Sequence, residues 1–224
     1  VEGDLMFSKN IDDYNKSQDV AERHYHSFNL VSQTNVTNIN VFSSLSDSSG
    51  IESDNWANEI QLAINDWNNI SNESCVQFNY VINAALANII IADGSDEMTS
   101  TQLGRAGVPF PNGQPFNRIM INLIYQNSIN SILKRNIIKH ELGHCIGFKH
   151  TNDFNPNDGE GNVAISNTSI FDDTDSVMVE GVPSSTNNTT FSSDDISAVE
   201  YLYGCTNGVF DSEDIYNITL NPIN

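Results

Sequence analysis

Three histidines and one glutamate carry the chemistry that the spacing of this sequence points to. They lie in His140-Glu141-Leu142-Gly143-His144-Cys145-Ile146-Gly147-Phe148-Lys149-His150. Histidines four apart share one face of a helix, one turn above each other, so both rings reach a single metal ion. Glu141 follows the first of them and projects beside that metal, where a carboxylate takes a proton from water. Gly147 permits the left-handed turn that ends a helix and swings the chain back, bringing His150 in as third ligand. Three protein ligands leave one position open, the arrangement of a catalytic zinc ion. Five fixed positions, three of them a scarce residue, match by accident in a chain of this size about once in 100,000.

The elements that must position these groups follow from periodicity. Ile137, Ile138, Leu142 and Ile146 bury the metal helix, which Ser128 or Asn130 caps and which runs to about Gly147. Thr37–Leu45 alternates and is β-branched, which predicts a strand. Trp56, Ile60, Ala63, Ile64 and Trp67 keep helical spacing. Residues 75–82 and 87–93 read as further strands, the latter apolar enough to be central, and the helix before them predicts a parallel crossover. Pro109 confines Arg105–Phe110 to a sheet edge, leaving backbone groups free for another extended chain. Arg118–Tyr125 reads as a strand. Ser192-Ser193-Asp194-Asp195 resembles a capping box for a final helix with Ile196, Val199 and Tyr203 inside, stopped by Gly204.

Composition narrows the class. The 224 residues carry a net charge of -20, with 38% hydrophobic and 17% charged residues. That balance excludes a basic phosphate-binding surface and so predicts no nucleic-acid partner. No apolar run has membrane-spanning length. Cys75, Cys145 and Cys205 are odd in number; a Cys75–Cys205 bridge is one pairing, and Cys145 within the metal helix reads as a small buried hydrophobe. His24-Tyr25-His26 reads as a polar strand or turn rather than as ligands. Asp153–Glu160 offers oxygens for Ca2+ but lacks the EF-hand pattern, so an acidic turn is the preferred reading.

The motif is that of the metzincin zinc peptidases, and Ser176-Val177-Met178 resembles their Met-turn. The likeness covers residues 37–204. Residues 191–204 are similar to the last helix of the matrixin branch, while HELGHCIGFKHT most resembles the bacterial dual-action HEIGH metallopeptidases. Thr151 and Glu180 stand where astacins carry a glutamate and a tyrosine, and no matrixin cysteine switch is visible. The resemblance implies an α+β (mixed α/β) catalytic domain: a five-stranded mixed sheet with an antiparallel edge strand, two long helices and a small C-terminal lobe. It divides the chain into a segment 1–30, a catalytic domain 31–204 and a tail 205–224.

The expected protein is therefore a secreted, monomeric zinc endopeptidase. His140, His144 and His150 bind one Zn2+, and Glu141 is the general base for zinc-activated water. Arg105, Ala106, Gly107 and Val108 pair with an extended protein or peptide substrate. Met178 underlies the metal, and Val179, Val182 and Pro183 wall the pocket for the side chain after the cut bond. Two alternatives stand beside it. One is a zymogen blocked by an acid of residues 1–30, such as Asp4, Asp12 or Asp13. The other is a non-catalytic binding or adhesion module, against which Glu141 argues, because a structural zinc needs no base.

Overall fold

A computed structural model describes residues 24–45, 54–151, 161–170, 173–181 and 190–205. In chain order its elements are β1 (Tyr25–His26), α1 (Gln33–Val36), β2 (Ile39–Ser43), α2 (Asp54–Asn68), β3 (Phe78–Tyr80) and β4 (Ile89–Asp93). Then come β5 (Gly104–Arg105), β6 (Arg118–Ile121), α3 (Ser131–Ile146), β7 (Phe148–Lys149), β8 (Val163–Ala164) and α4 (Ser193–Tyr203).

The main sheet has five strands in the order β3-β2-β4-β6-β5. β2, β3, β4 and β6 run parallel, and β5 pairs antiparallel with β6 through Gly104↔Ile121 and Arg105↔Met120. The parallel step from β2 to β3 needs the long crossover that α2 supplies. β4 is central, and Ile89 and Ile91 point inward beside Ile39 and Val41 of β2. The mixed sheet, its antiparallel edge and the two long helices agree with the expected α+β class.

Strands are shorter than their apolar runs, for identifiable reasons. The expected strand to Tyr125 stops at Ile121 because Asn122 turns the chain. Its side-chain oxygen accepts from Ile124 N, and its amide donates to Gln102 O at 2.9 Å, starting a 3₁₀ turn over Leu123–Tyr125. The expected Arg105–Phe110 strand keeps ladder pairing only at Gly104–Arg105, at the sheet edge. Beyond it, Phe110 and Gln114 close a turn through Phe110 N donating to Gln114 O. Such turn chemistry competes with strand propensity wherever Asn and Pro sit inside an apolar run.

The core lies between the sheet and α2 with α3. Trp56, Ile60, Ala63, Ile64 and Trp67 are all buried, as their spacing predicts. Trp67 Nε1 donates to Lys139 O at 3.0 Å, and the Asp66 carboxylate receives the Arg135 guanidinium, so α2 is tied to α3 at a fixed height. Lys139, also buried, stands 5.0 Å over the Phe191 ring and 3.8 Å from Asp66; burial lowers its pKa to about 8. Asn130, of the two caps considered, accepts from Leu133 N and starts α3.

A second sheet was not foreseen: β1 lies between β7 and β8, antiparallel to both. Two-residue strands carry too little alternation to be read from sequence. α4 has the capping box, with Ala198, Val199, Leu202 and Tyr203 buried and Ile196 only partly so. Cys75 and Cys205 form a disulfide across 130 residues, and Cys145 is a buried free thiol. Burial pushes that thiol well above its usual pKa. The run 153–160, Val182, Pro183 and the tail beyond Cys205 lie outside the described residues.

This arrangement predicts a definite thiol count. The native chain should react with no thiol reagent, the denatured chain with one equivalent, and the denatured, reduced chain with three. Replacing Cys75 and Cys205 by serine should lower the unfolding free energy by about 2–5 kcal/mol in denaturant titrations.

Candidate metal centre

α3 is buried along most of its length, so its ligands are held by packing on all sides. It ends at Gly147, whose φ of 111° is left-handed and whose N–H donates to Gly143 O and His144 O. A side chain here would be strained and would also meet Leu30. The turn leads into β7, pinned to β1 by Tyr25↔Lys149 and His26↔Phe148, and β7 delivers His150.

The three imidazoles converge. His140 and His144 Nε2 are 2.9 Å apart, and each is 3.1 Å from His150 Nε2. His140 Nδ1 faces Val177 O at 2.7 Å and His144 Nδ1 faces Phe148 O at 2.8 Å. A carbonyl only accepts, so both Nδ1 atoms carry the proton and both Nε2 lone pairs turn inward. Burial drives the imidazoles to the neutral form. His140 falls to about 4, and His144 and His150 fall well below their usual value, further lowered by one another. Unprotonated nitrogens facing each other in a dry cavity repel unless a cation lies between them. Tetrahedral zinc with bonds of 2.0–2.1 Å would set its nitrogens about 3.3 Å apart, so the triad fits that ion closely.

Beneath the triad lies the Ser176–Val179 turn. Met178 Sδ occupies the space where a side chain on residue 143 would begin; a Cβ there would stand 2.5 Å from it. Thr151 N donates to Met178 O, joining the turn to the residue after the third ligand. Asp195 of α4 holds the turn from below. Its Oδ2 accepts from Val177 N at 3.0 Å and from Ser192 N at 2.9 Å, and its Oδ1 accepts from Ser176 Oγ at 2.7 Å.

Glu141 is fully buried, and its carboxylate reaches β5. A Cβ on Gly104 would lie 2.6 Å from Glu141 Oε1, so glycine leaves the room that carboxylate occupies. Of the other expected site residues, Arg105 is half-buried with its guanidinium 3.8 Å from Met120 Sδ. Ala106 is buried, Gly107 backs on the Phe116 ring, and Val108 is half-buried. Val179, the last residue of the Ser176–Val179 turn, is buried. Gly104, Gly143, Ser176, Asp195 and His24 escaped the sequence reading as site residues. Asp195 was visible as a helix-capping acid, Ser176 as part of the Met-turn resemblance, Gly143 within the histidine motif and His24 as a histidine set aside as a ligand, whereas Gly104 gave no signal before folding.

A mixed sheet, a buried three-histidine cluster and an adjoining carboxylate define a metallopeptidase type of centre. The family model of the dual-action HEIGH metallo-peptidases matches residues 1–203, and the chain belongs to that family. No curated protein sequence matches it. Among solved structures, one of myroilysin is similar at 15% identity and a TM-score of 0.48, covering 78% of this chain and 97% of that one. A second, a crystal structure of myroilysin, has 12% identity and a TM-score of 0.46, covering 90% and 99%.

The depressed imidazoles make the metal-free protein acid-sensitive. Below about pH 6.5 the unfolded chain gains protons on these three groups that the folded chain refuses, at His140 down to about pH 4. Unfolding is therefore favoured as pH falls, by about 1.4 kcal/mol per pH unit for each such histidine. Denaturant midpoints of chelator-treated protein should drop across that window and level off above it. A level midpoint from pH 6.5 to 4 would mean that the imidazoles titrate as exposed ones do.

Proposed function

We propose that this chain is an exported zinc endopeptidase, working as a monomer on extended protein or peptide substrates, with Glu141 as general base. The meeting of Glu141 and Gly104 carries the reading. It sets a buried carboxylate, one residue along from a triad histidine, directly against the edge strand of the sheet. An edge strand offers unpaired backbone groups to an added extended peptide. A substrate paired along Arg105, Ala106, Gly107 and Val108 would pass beside that carboxylate.

His140, His144 and His150 would hold the zinc, which when bound would supply a Lewis acid that polarises a carbonyl and lowers the pKa of water to about 7. Glu141 takes one proton from the attacking water and returns it to the leaving nitrogen, so peptide and water become acid and amine. The buried position of Glu141 keeps bulk water from competing for that proton. Val179, with Val182 and Pro183, walls the pocket for the side chain after the cut bond. The Cys75–Cys205 bridge supports export, because such bonds persist in oxidising compartments. Among the described residues no helix is long and apolar enough to cross a membrane.

The purified chain should cleave an unfolded protein, lose that activity to a chelator, and regain it with zinc. Absence of cleavage by zinc-loaded, folded chain would leave the fold without its proposed activity. Glu141→Gln should keep metal and fold yet lose about 10²–10⁴ in kcat, because the amide accepts no proton at neutral pH. Wild-type turnover in that variant would remove Glu141 from the chemistry. Gly104→Ala should lower kcat by up to about 100-fold through displacement of the carboxylate, with zinc content unchanged. A change confined to KM would instead place Gly104 in substrate binding.

A further inference from the structure

Below the metal centre lies a polar cluster that no step above uses. His24 is 2% exposed; its Nε2 stands 2.9 Å from Asp195 Oδ1 and 3.1 Å from Ser176 Oγ. Asp195 is itself 3% exposed, and hydrogen bonds to His24, Val177 and Ser176 offset its burial and hold its carboxyl below the usual range. An ionised carboxylate only accepts, so His24 Nε2 and Ser176 Oγ are both donors to it. Asp195 then receives four hydrogen bonds, from His24, Ser176 Oγ, Val177 N and Ser192 N.

Ser176 Oγ has a second task. It accepts from Met178 N at 2.9 Å, and the peptide unit that contains this N–H also contains Val177 C=O. That carbonyl is the acceptor for His140 Nδ1. A peptide unit is planar, so holding its N–H fixes the direction of its C=O. Ser176 Oγ therefore aims the carbonyl that orients the first imidazole of the triad. His24 Nε2 sits against that hydroxyl and its carboxylate partner together.

We propose that His24 is a positioning residue for the metal centre: its Nε2–H, shared between Asp195 and Ser176, locks the Val177–Met178 peptide that orients His140. The proposal rests on the triad being the zinc site. It makes the residue just ahead of β1 part of the centre's support, since His24 leads directly into the strand that pins β7 and His150. His24, Asp173 and Asp195 also lie close enough together to suggest a second cation site. The bonding argues otherwise. Asp195 already has four donors, Asp173 Oδ2 accepts from Ser192 Oγ at 2.6 Å, and His24 Nε2 is 3.9 Å from Asp173. This is a filled hydrogen-bond cluster.

The test uses the full chain and needs no turnover. Zinc affinity is measured by competition with a chromogenic chelator, and ligand geometry by the visible spectrum of the Co2+-substituted protein. Loss of a partner that orients a ligand typically weakens metal binding 10–100-fold, and His24→Ala should do so and shift the Co2+ bands. His24→Gln, whose amide keeps an N–H donor, should restore both readouts toward wild type. Val31→Ala opens a cavity in the same segment, away from Asp195, and should lower the melting temperature while leaving both readouts unchanged.

If His24→Ala does not fold, Ser176→Ala removes the same bridge from its other end, and the same readouts decide. Wild-type affinity and spectrum in the folded variant would overturn the proposal. So would equal shifts in Val31→Ala, or a second equivalent of zinc that His24→Ala abolishes, since His24 would then be a ligand. Failure of the wild-type chain to bind zinc would overturn the site reading as well, whereas tight binding indifferent to His24 overturns this inference alone.

Discussion

Three imidazole nitrogens 2.9–3.1 Å apart, shut away from water and held neutral by burial, fit a triad that shares one cation. That constraint organises the molecule. The repulsion of facing lone pairs must be held in place by the rest of the fold until the ion offsets it. Two of the three rings are held through their Nδ1 protons by carbonyls from separate pieces of chain: Val177 in the Met178 turn and Phe148 in β7. The centre is thus as rigid as the segments that carry those carbonyls, and both are anchored at a distance.

The anchoring explains features that otherwise look accidental. β1, only two residues long, pins β7 on one side and β8 on the other, so the turn after Gly147 cannot drift. Asp195 caps α4 and holds the Met178 turn with the same carboxylate, converting the start of one helix into the floor beneath another. Its burial is tolerable because its oxygens receive four hydrogen bonds. The disulfide ties the far end of α4 to the chain after α2, so both ends of that helix are fixed.

Close approach is the other recurring device. Gly143 leaves space for Met178 sulfur below the helix, and Gly104 leaves space for the Glu141 carboxylate at the sheet edge. In both places a methyl group would occupy a position already taken by an atom of the site. The interior of α3 is also polar for a buried helix, with Lys134, Asn136, Lys139 and the ligands all shielded. Its cations are compensated by Asp66 and by aromatic faces, Lys134 over Trp56 and Lys139 over Phe191. A helix of this kind is recognised by its motif together with the apolar residues Ile137, Ile138, Leu142 and Ile146.

What the sequence determined by itself is local: spacing along one element. Histidines four apart on a helix, a glycine at its end, strands alternating at Ile39 and Val41, and a capping box at Ser192 are readable because the period of a helix or strand converts residue number into direction. Boundaries were readable less well, since Asn122 turns the chain inside one apolar run and a turn between Phe110 and Gln114 closes another. Tertiary structure decided everything that needed two distant pieces of chain. His24 meets Asp195 across 171 residues and Ser176 across 152, and Gly104 meets Glu141 only once β5 lies along α3. Contacts at such separations leave no periodic trace, because packing and not chain geometry sets which side chains come together. The triad's chemistry is therefore legible in eleven consecutive residues, and its rigidity exists only in the fold.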